Sequence, residues 1–197
     1  ARPCGAHSVP GRVFLANVGA NASHRFSGPV FEDRTFEFIP IPEDRDLIGP
    51  HAVRYRDLNS YYSPGSGLKR YVPERLWDWP AHNDPEFETF TYGDNCATTP
   101  RASALRRIEP GDFLFFLARM AQWSDGSPSG LHGFYLVGFL EIAHDDWLLR
   151  SVRARPSGEA LAPFLRNAHV RRGLSDPALW DGHWVFRGSE RSRRFRA

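Results

Sequence analysis

Short apolar runs, separated by frequent turn residues, dominate the pattern of this chain. The sequence contains 17 Gly and 16 Pro, and these residues interrupt regular structure. Runs rich in β-branched and aromatic residues predict strands at residues 12–17, 36–41, 112–118, 134–142 and 183–186. Two prolines meet the second run, which predicts an edge strand because proline cannot donate to an interior ladder. The pattern favours many short strands joined by turns.

The two longest apolar runs predict the centre of the sheet. Residues 112–118 are apolar on both faces, as in a buried strand, and residues 134–142 form the next run. No crossover helix separates them, so we expect antiparallel neighbours. Gly138, inside the second run, predicts a bulge or a close backbone approach.

Helices are fewer. Residues 99–108 predict a short capped helix, because Thr99 precedes a proline at the first helical position. Residues 159–167 predict a second helix, and residues 176–180 a single turn. Residues 59–88 show no period and predict a long irregular insertion, a feature that is often functional.

Composition limits the class of protein. The 197 residues, 41% of them hydrophobic, suit one domain, which we expect to cover residues 1–197. The longest apolar runs fall short of the roughly 20 residues that span a membrane. Two cysteines and no long apolar leader argue against a secreted disulfide scaffold, so a cytoplasmic location is expected.

Positive charge is concentrated near the end of the chain. From Arg150 onward, eleven arginines face four acidic residues, a net charge of +7. The basic tail, residues 187–197, has a composition suited to phosphate contacts. A solvated, frayed terminus is the alternative interpretation. The predicted phosphate-binding residues are Arg25, Arg171, Arg187, Arg191, Arg193 and Arg194.

Four segments together resemble a known group of domains. They are residues 92–95 (Tyr-Gly-Asp-Asn), the helix carrying Ala102 and Leu105, residues 109–116 and residues 138–142. They resemble the EVE, ASCH and YTH branch of PUA-like domains. The resemblance implies an α+β fold, a PUA-like mixed β-barrel with a few short flanking helices.

The chain as a whole is also similar to the third type of the bacterial nucleotide modification associated domains. Residues 14–25 and 167–172 carry this similarity most clearly. It implies involvement with modified bases in DNA, without implying a particular reaction.

Polar residues follow the first predicted strand. The loop of residues 17–25 contains Asn17, Asn21, Ser23, His24 and Arg25, whose side chains suit a base edge or a phosphate. In the resembling families this loop and the turn carrying Tyr92, Asp94 and Asn95 line the ligand pocket. We therefore expect them to converge on one concave site. Alternatively, the loop is a turn that bonds its own backbone.

Loop tryptophans are candidates for stacking on an extruded base. Trp77, Trp79 and Trp123 fall in predicted loops, and base stacking contributes about 1–3 kcal/mol. Core packing is the alternative for each of them.

The sequence contains residue types that enzymes use in catalysis, but no specific catalytic motif. His24, Asp94, Cys96, His132 and His169 are the best candidates. Cys96 lacks a nucleophile motif, the His, Cys and Asp spacing fits no zinc template, and no P-loop occurs. No cofactor or metal is therefore predicted.

The leading hypothesis is a nucleic-acid-binding module that recognises a flipped, modified base in DNA through a polar and aromatic pocket. The alternative is an enzyme acting on a modified nucleotide or base, with His24 and Asp94 as acid and base. A protein-interaction subunit of a restriction or modification system is a third hypothesis.

Overall fold

The protein is an α+β fold with more strand than helix, as seen in a computed structural model that describes residues 11–43, 53–63, 65–150, 158–180 and 182–197. The strands of these residues are β1 (Val13–Val18), β2 (Pro29–Val30), β3 (Ile41–Pro42), β4 (Ala81–His82), β5 (Thr91–Asp94), β6 (Phe113–Ser124), β7 (Ser127–Glu141), β8 (Leu148–Arg150), β9 (Trp184–Arg187) and β10 (Arg193–Arg194). The α-helices are α1 (Gly158–Leu161) and α2 (Ala168–Ser175). No helix in this part of the chain has the length and apolar character that a membrane span requires.

A long hairpin of β6 and β7 forms the centre of the main sheet. The two strands pair antiparallel, which confirms the predicted arrangement, and they extend well beyond the predicted apolar runs. Asp125 and Gly126 connect them, both with positive φ, as a tight hairpin turn requires. The register shifts beside Gly138, and a Cβ there would lie 2.6 Å from the carbonyl oxygen of Arg193. The predicted bulge and the close approach at Gly138 are therefore both present.

The main sheet is mixed and open. β1 runs parallel to the first half of β6, β2 runs parallel to its second half, and β10 pairs antiparallel with β7 on the far side. β1 and β10 therefore lie at opposite edges. The α+β class is confirmed. The predicted PUA-like barrel is not confirmed, because no strand joins these two edges in the described residues. Two smaller sheets, β3–β4 and β5–β9–β8, complete the strand pairing.

The basic tail belongs to the fold. The backbone of β10 pairs with Phe139 and Gly138, and Phe195 packs against the main core. A frayed terminus is therefore not what the structure contains. The reason is burial, since the apolar side chain and the strand ladder anchor the charged segment.

Two apolar clusters make up most of the interior. The first lies on one face of the main sheet and contains Leu114, Phe116 and Leu140. The second contains Tyr71, Leu76 and other residues from the region predicted as an irregular insertion, together with Tyr55, which precedes that region. That region forms short 3-10 helices, Leu68–Tyr71 and Glu74–Leu76, and then β4.

The remaining predicted elements differ in detail. Residues 99–108 form a 3-10 helix, Pro100–Arg107, whose preceding Thr99 makes no side-chain cap. The predicted helix at residues 159–167 is split into α1 and a 3-10 turn at Ala162–Phe164. Asn167 then caps α2, which was not predicted, by accepting a hydrogen bond from the amide of His169. The predicted edge strand at residues 36–41 contributes only a bridge at Phe36 and the first residue of β3.

Candidate functional site

A polar cavity of about 570 Å³ opens where the end of β1, the strand β5 and the helix α2 meet. Its lining contains most of the residues predicted to contact a base: Asn17, Asn21, Ser23, His24, Tyr92, Asp94 and Asn95. The expected convergence of the residue 17–25 loop with the residue 92–95 turn is therefore present. Their role in ligand binding stays a prediction.

The loop after β1 is held by its own hydrogen bonds. Gly19 has a φ of +80°, which turns the chain out of the strand. The Asn21 side-chain oxygen accepts from the Ser23 amide at 3.0 Å and from the Ser23 hydroxyl at 2.7 Å. The alternative interpretation, a self-bonded turn, therefore applies to Asn21 and Ser23. The side-chain amide of Asn17 has no hydrogen-bond partner among the described residues.

His24 has one ring nitrogen occupied by this loop. Its Nδ1 accepts a hydrogen bond from the backbone amide of Asn21 at 3.2 Å. Burial lowers the pKa of His24 below its ordinary value. The neutral imidazole is therefore favoured, with Nε2 carrying the proton.

The turn after β5 is also held by its own hydrogen bonds, and it leaves the side-chain amide of Asn95 available. The Tyr92 hydroxyl donates to Asp94 at 3.0 Å, and the other carboxylate oxygen of Asp94 accepts from the Asn95 backbone amide at 2.7 Å. The Asn95 carbonyl accepts from Thr98 and Thr99 as the next helix approaches. The exposed Asn95 side chain has no hydrogen-bond partner within the described part of the chain.

A buried cluster of two histidines and a carboxylate forms another part of the lining. His82, Asp84 and His169 each offer a ligand atom, and these atoms lie within 4.8 Å of one another. Burial raises the pKa of Asp84 to about 7. Burial also lowers the pKa of His169 to about 3, so its imidazole is uncharged at neutral pH. The three residues are the groups in this cavity that could hold a metal ion.

Gly93 allows this cluster to assemble. A Cβ at Gly93 would lie 2.4 Å from Cδ2 of His169, closer than real side chains approach. β5 and α2 can therefore pack side by side only if this position has no side chain.

Two arginines in the cavity wall have free guanidinium groups. Arg101 and Arg119 line the cavity, and neither has a hydrogen-bond or ion-pair partner among the residues the structure describes. Arg172, in contrast, lies 3.5 Å from Glu43. Phe134 also lines the cavity and is 64% exposed, which leaves its ring available for stacking.

The three candidate tryptophans lie outside this lining and pack against the second core cluster. The Trp77 indole nitrogen donates to the carbonyls of Lys69 and Val72, and that of Trp79 to the carbonyl of Glu43. Trp123 meets Tyr71 edge to face, with ring centroids 5.2 Å apart. Core packing, the alternative interpretation, describes all three.

The predicted phosphate-binding arginines also lie outside the lining. Arg25 is exposed at the end of its loop, and Arg171 lies beside a separate cavity of about 30 Å³. Arg187 is 4.0 Å from Asp146, and Arg191 is 2.9 Å from Glu141. The exposed Arg193 donates to the Ser192 carbonyl at 2.7 Å.

Arg194 lies against a buried carboxylate of the fold. Its side chain is 16% exposed and its guanidinium lies 3.5 Å from the buried carboxylate of Glu37. It also covers the ring of Tyr61 at 4.2 Å. A role for Arg194 in phosphate binding stays a prediction, and the structure places this charge beside a buried acid.

Two of the enzyme candidates are placed unfavourably. Cys96 is 1% exposed, and burial raises the pKa of its thiol to about 12. A thiolate nucleophile is therefore disfavoured. His132 is exposed on β7, and its ring nitrogen lies 3.2 Å from the Gly130 carbonyl.

Sequence reasoning missed several cavity residues. His82 and Asp84 lie in the segment without a period, and their spacing alone matches no metal template. His169 was named as an enzyme candidate, but because α2 was not predicted, nothing in the sequence placed it beside His82 and Asp84. The alternation His-Asn-Asp at residues 82–84 was the one available signal, because residues two apart in an extended segment face the same side.

The fold and the cavity define an α+β domain with a polar pocket, and the sequence places it in a family. The sequence model of nucleotide modification associated domain 3 matches residues 12–195. The chain belongs to this family, which confirms the similarity noted from residues 14–25 and 167–172. Searches of curated proteins and of solved structures give no significant match.

Proposed function

We propose that the protein recognises a modified base, flipped out of DNA, in the polar cavity. The observation that carries this proposal is the set of free polar groups in the cavity lining. The amides of Asn17 and Asn95 and the guanidiniums of Arg101 and Arg119 have no partner among the described residues. Polar groups in a cavity that lack protein partners are suited to a polar ligand.

The size and chemistry of the cavity support a nucleotide. A volume of about 570 Å³ lies within the roughly 300–1,000 Å³ of small-molecule sites. Each asparagine amide offers a donor and an acceptor, which is what the Watson–Crick edge of an extruded base requires. Phe134 offers an exposed ring on which a base can stack.

Charge and family membership support a nucleic acid as the source of the base. Arg101 and Arg119 add two positive charges that no carboxylate in the described residues neutralises. Guanidinium groups bind phosphate through paired hydrogen bonds. The family name associates the domain with nucleotide modification. A base flipped from a duplex brings its flanking phosphates to the cavity mouth.

Binding to matched duplexes tests the proposal. Fluorescence anisotropy compares duplexes that differ in one modified base, using the wild type and the Asn17→Ala/Asn95→Ala variant. We expect the wild type to prefer one modified duplex and the variant to lose the preference while it keeps weak binding. Arg75→Ala, exposed and outside the cavity lining, is the matched control. No preference across a broad set of modifications, or an unchanged preference in the double variant, contradicts the proposal.

A second candidate function is catalysis on the bound base. It is favoured by one observation, that His24 and Asp94 both line the cavity. Mass spectrometry of nucleosides after incubation with the preferred duplex tests it. Turnover that His24→Ala or Asp94→Asn abolishes supports an enzyme, and binding without a product supports a recognition module.

A further inference from the structure

We propose that His82, Asp84 and His169 bind one divalent transition-metal ion at the buried side of the cavity. Two imidazoles and one carboxylate are the ligands of the facial triad of non-haem iron sites and of several catalytic zinc sites. All three residues are buried, with 7–8% of each exposed, and all three line the cavity. These three ligands are different residues from the free amides and guanidiniums assigned to the base, which line the same cavity.

The distances between the candidate ligand atoms support a metal more than a hydrogen-bonded cluster. Oδ2 of Asp84 lies 3.5 Å from Nε2 of His169 and 3.9 Å from Nε2 of His82. Both distances exceed those of a normal N–H···O hydrogen bond, roughly 2.7–3.2 Å. Ligands about 2.1 Å from a tetrahedral metal are separated by about 3.4 Å. The three atoms therefore surround a point that an ion can occupy with little rearrangement.

Residues that hydrogen-bond to the candidate ligands can hold them in the orientation that metal binding requires. Nδ1 of His82 lies 2.7 Å from Oε2 of Glu43, so the carboxylate orients the ring with Nε2 toward the cluster. A carboxylate behind a ligating histidine is a recurrent feature of metal sites.

Asp84 is fixed equally well. Its Oδ1 accepts from the side-chain amide of Asn167 at 2.9 Å, and the Gly93 amide lies 3.0 Å from Oδ2. One lone pair of Oδ2 can still face the histidines, because a carboxylate oxygen has more than one acceptor direction. The same asparagine caps α2 and so ties the carboxylate to the helix that carries His169.

Three protein ligands leave coordination positions for other groups. Structural zinc sites are closed by four protein ligands, whereas catalytic sites keep a position for water or substrate. Here all three ligand residues line the polar cavity. An ion at this place can therefore bind a ligand atom within the cavity, whether or not that ligand is a base.

Titration of the untagged full chain with Co²⁺ and Zn²⁺, in the absence of nucleic acid, tests the site. The protein is first treated with a chelator and then dialysed. We expect one equivalent of Co²⁺ to give visible d–d absorption bands, which one equivalent of Zn²⁺ removes. Because no nucleic acid is present, failure of base binding leaves this result unaffected, and duplex binding measured with chelator tests the base proposal separately.

Substitutions identify the ligands. We expect His169→Ala and Asp84→Asn to weaken Co²⁺ binding by more than about 100-fold, and Glu43→Gln to weaken it by roughly 10- to 100-fold. His24→Ala in the same cavity and His132→Ala on the surface are the histidine controls, and neither should change binding. Circular dichroism verifies that each variant is folded.

Two results overturn the proposal. One is a folded wild type that gives neither d–d bands nor one-to-one binding of Zn²⁺. The other is binding that His24→Ala removes and folded Glu43→Gln leaves unchanged, which places the ion elsewhere. If a ligand variant does not fold, Glu43→Gln together with the stoichiometry of the wild type decides the outcome.

Discussion

The guanidinium of Arg194 lies 3.5 Å from the carboxylate of Glu37, which is 1% exposed and lies 157 positions earlier in the chain. Glu37 also accepts hydrogen bonds from the Ser60 hydroxyl and the backbone amides of Tyr61 and Tyr62. The pair joins the basic tail to the segment that precedes β3. The composition of the basic tail suggests that Arg194 binds a phosphate of a partner molecule. In the structure its positive charge lies beside a buried carboxylate of the same chain.

This pair predicts a large effect on stability. Arg194→Ala leaves a buried carboxylate without its cation, and we expect the free energy of unfolding to fall by about 3 kcal/mol. This value lies at the low end of such cases because Glu37 keeps its other donors. Urea denaturation measures the change. Arg191→Ala is the control, since its ion pair with Glu141 is exposed on the arginine side and should contribute less than about 1 kcal/mol.

The free arginines of the cavity predict the salt dependence of DNA binding. Removing one arginine that binds a phosphate lowers the slope of log affinity against log salt by about 0.9 on a duplex. We expect Arg101→Ala/Arg119→Ala to lower the slope by about 2, and Arg191→Ala/Arg193→Ala to lower it less, because those groups already have partners. Anisotropy titrations at several salt concentrations measure both. Equal slopes for the wild type and the cavity double variant would remove these arginines from the interface.

The exposed ring of Phe134 leads to a prediction about the affinity for DNA, because a base can stack on it. Because the ring is 64% exposed, Phe134→Ala should leave the fold intact. Loss of one stacked base weakens binding by about 1–3 kcal/mol, which is between about 5-fold and 150-fold in Kd. Leu131→Ala, equally exposed on the same strand at 62% and outside the cavity lining, is the matched control. Equal affinities for the two variants would show that no base stacks at this position.

Cys96 predicts a pH dependence of thiol reactivity. Burial raises its pKa to about 12, above that of an exposed cysteine, so the reactive thiolate is scarce at pH 8 and increases only as the pH approaches 12. We expect iodoacetamide to leave Cys96 unmodified in the native protein at pH 8 and to label it in urea. Peptide mass spectrometry distinguishes it from Cys4, which lies outside the described residues. Rapid native labelling would restore Cys96 as a candidate nucleophile.

The central hairpin was predictable from sequence because the local apolar pattern marks both strands and no crossover helix separates them. Residues 112–118 and 134–142 are antiparallel neighbours, as expected. The parallel pairing of β1 with β6 was not predictable, since the strands are distant in sequence and only tertiary contacts select their order. For the same reason the sequence could not show that, in the described residues, the edges β1 and β10 do not pair with each other.

The cavity was predicted in part. The polar loop after β1 and the turn at residues 92–95 are local motifs, and both are in the lining. His82 and His169 meet only because β4 and α2 pack together, with ring centroids 4.7 Å apart. No local pattern carries that information. The tryptophans of the predicted loops pack against the second core cluster, a tertiary contact that the sequence did not show.

The close packing at Gly93 has a consequence for variation at this site. A single added methyl group there would collide with His169 and displace α2 from β5, while every histidine and carboxylate of the cluster stayed in the sequence. A homologue with alanine at this position would therefore keep the two histidines and the carboxylate but lose their arrangement in the cavity. Variants that disrupt the cluster can thus arise at a residue that has no side chain of its own, and a screen restricted to polar positions would overlook them.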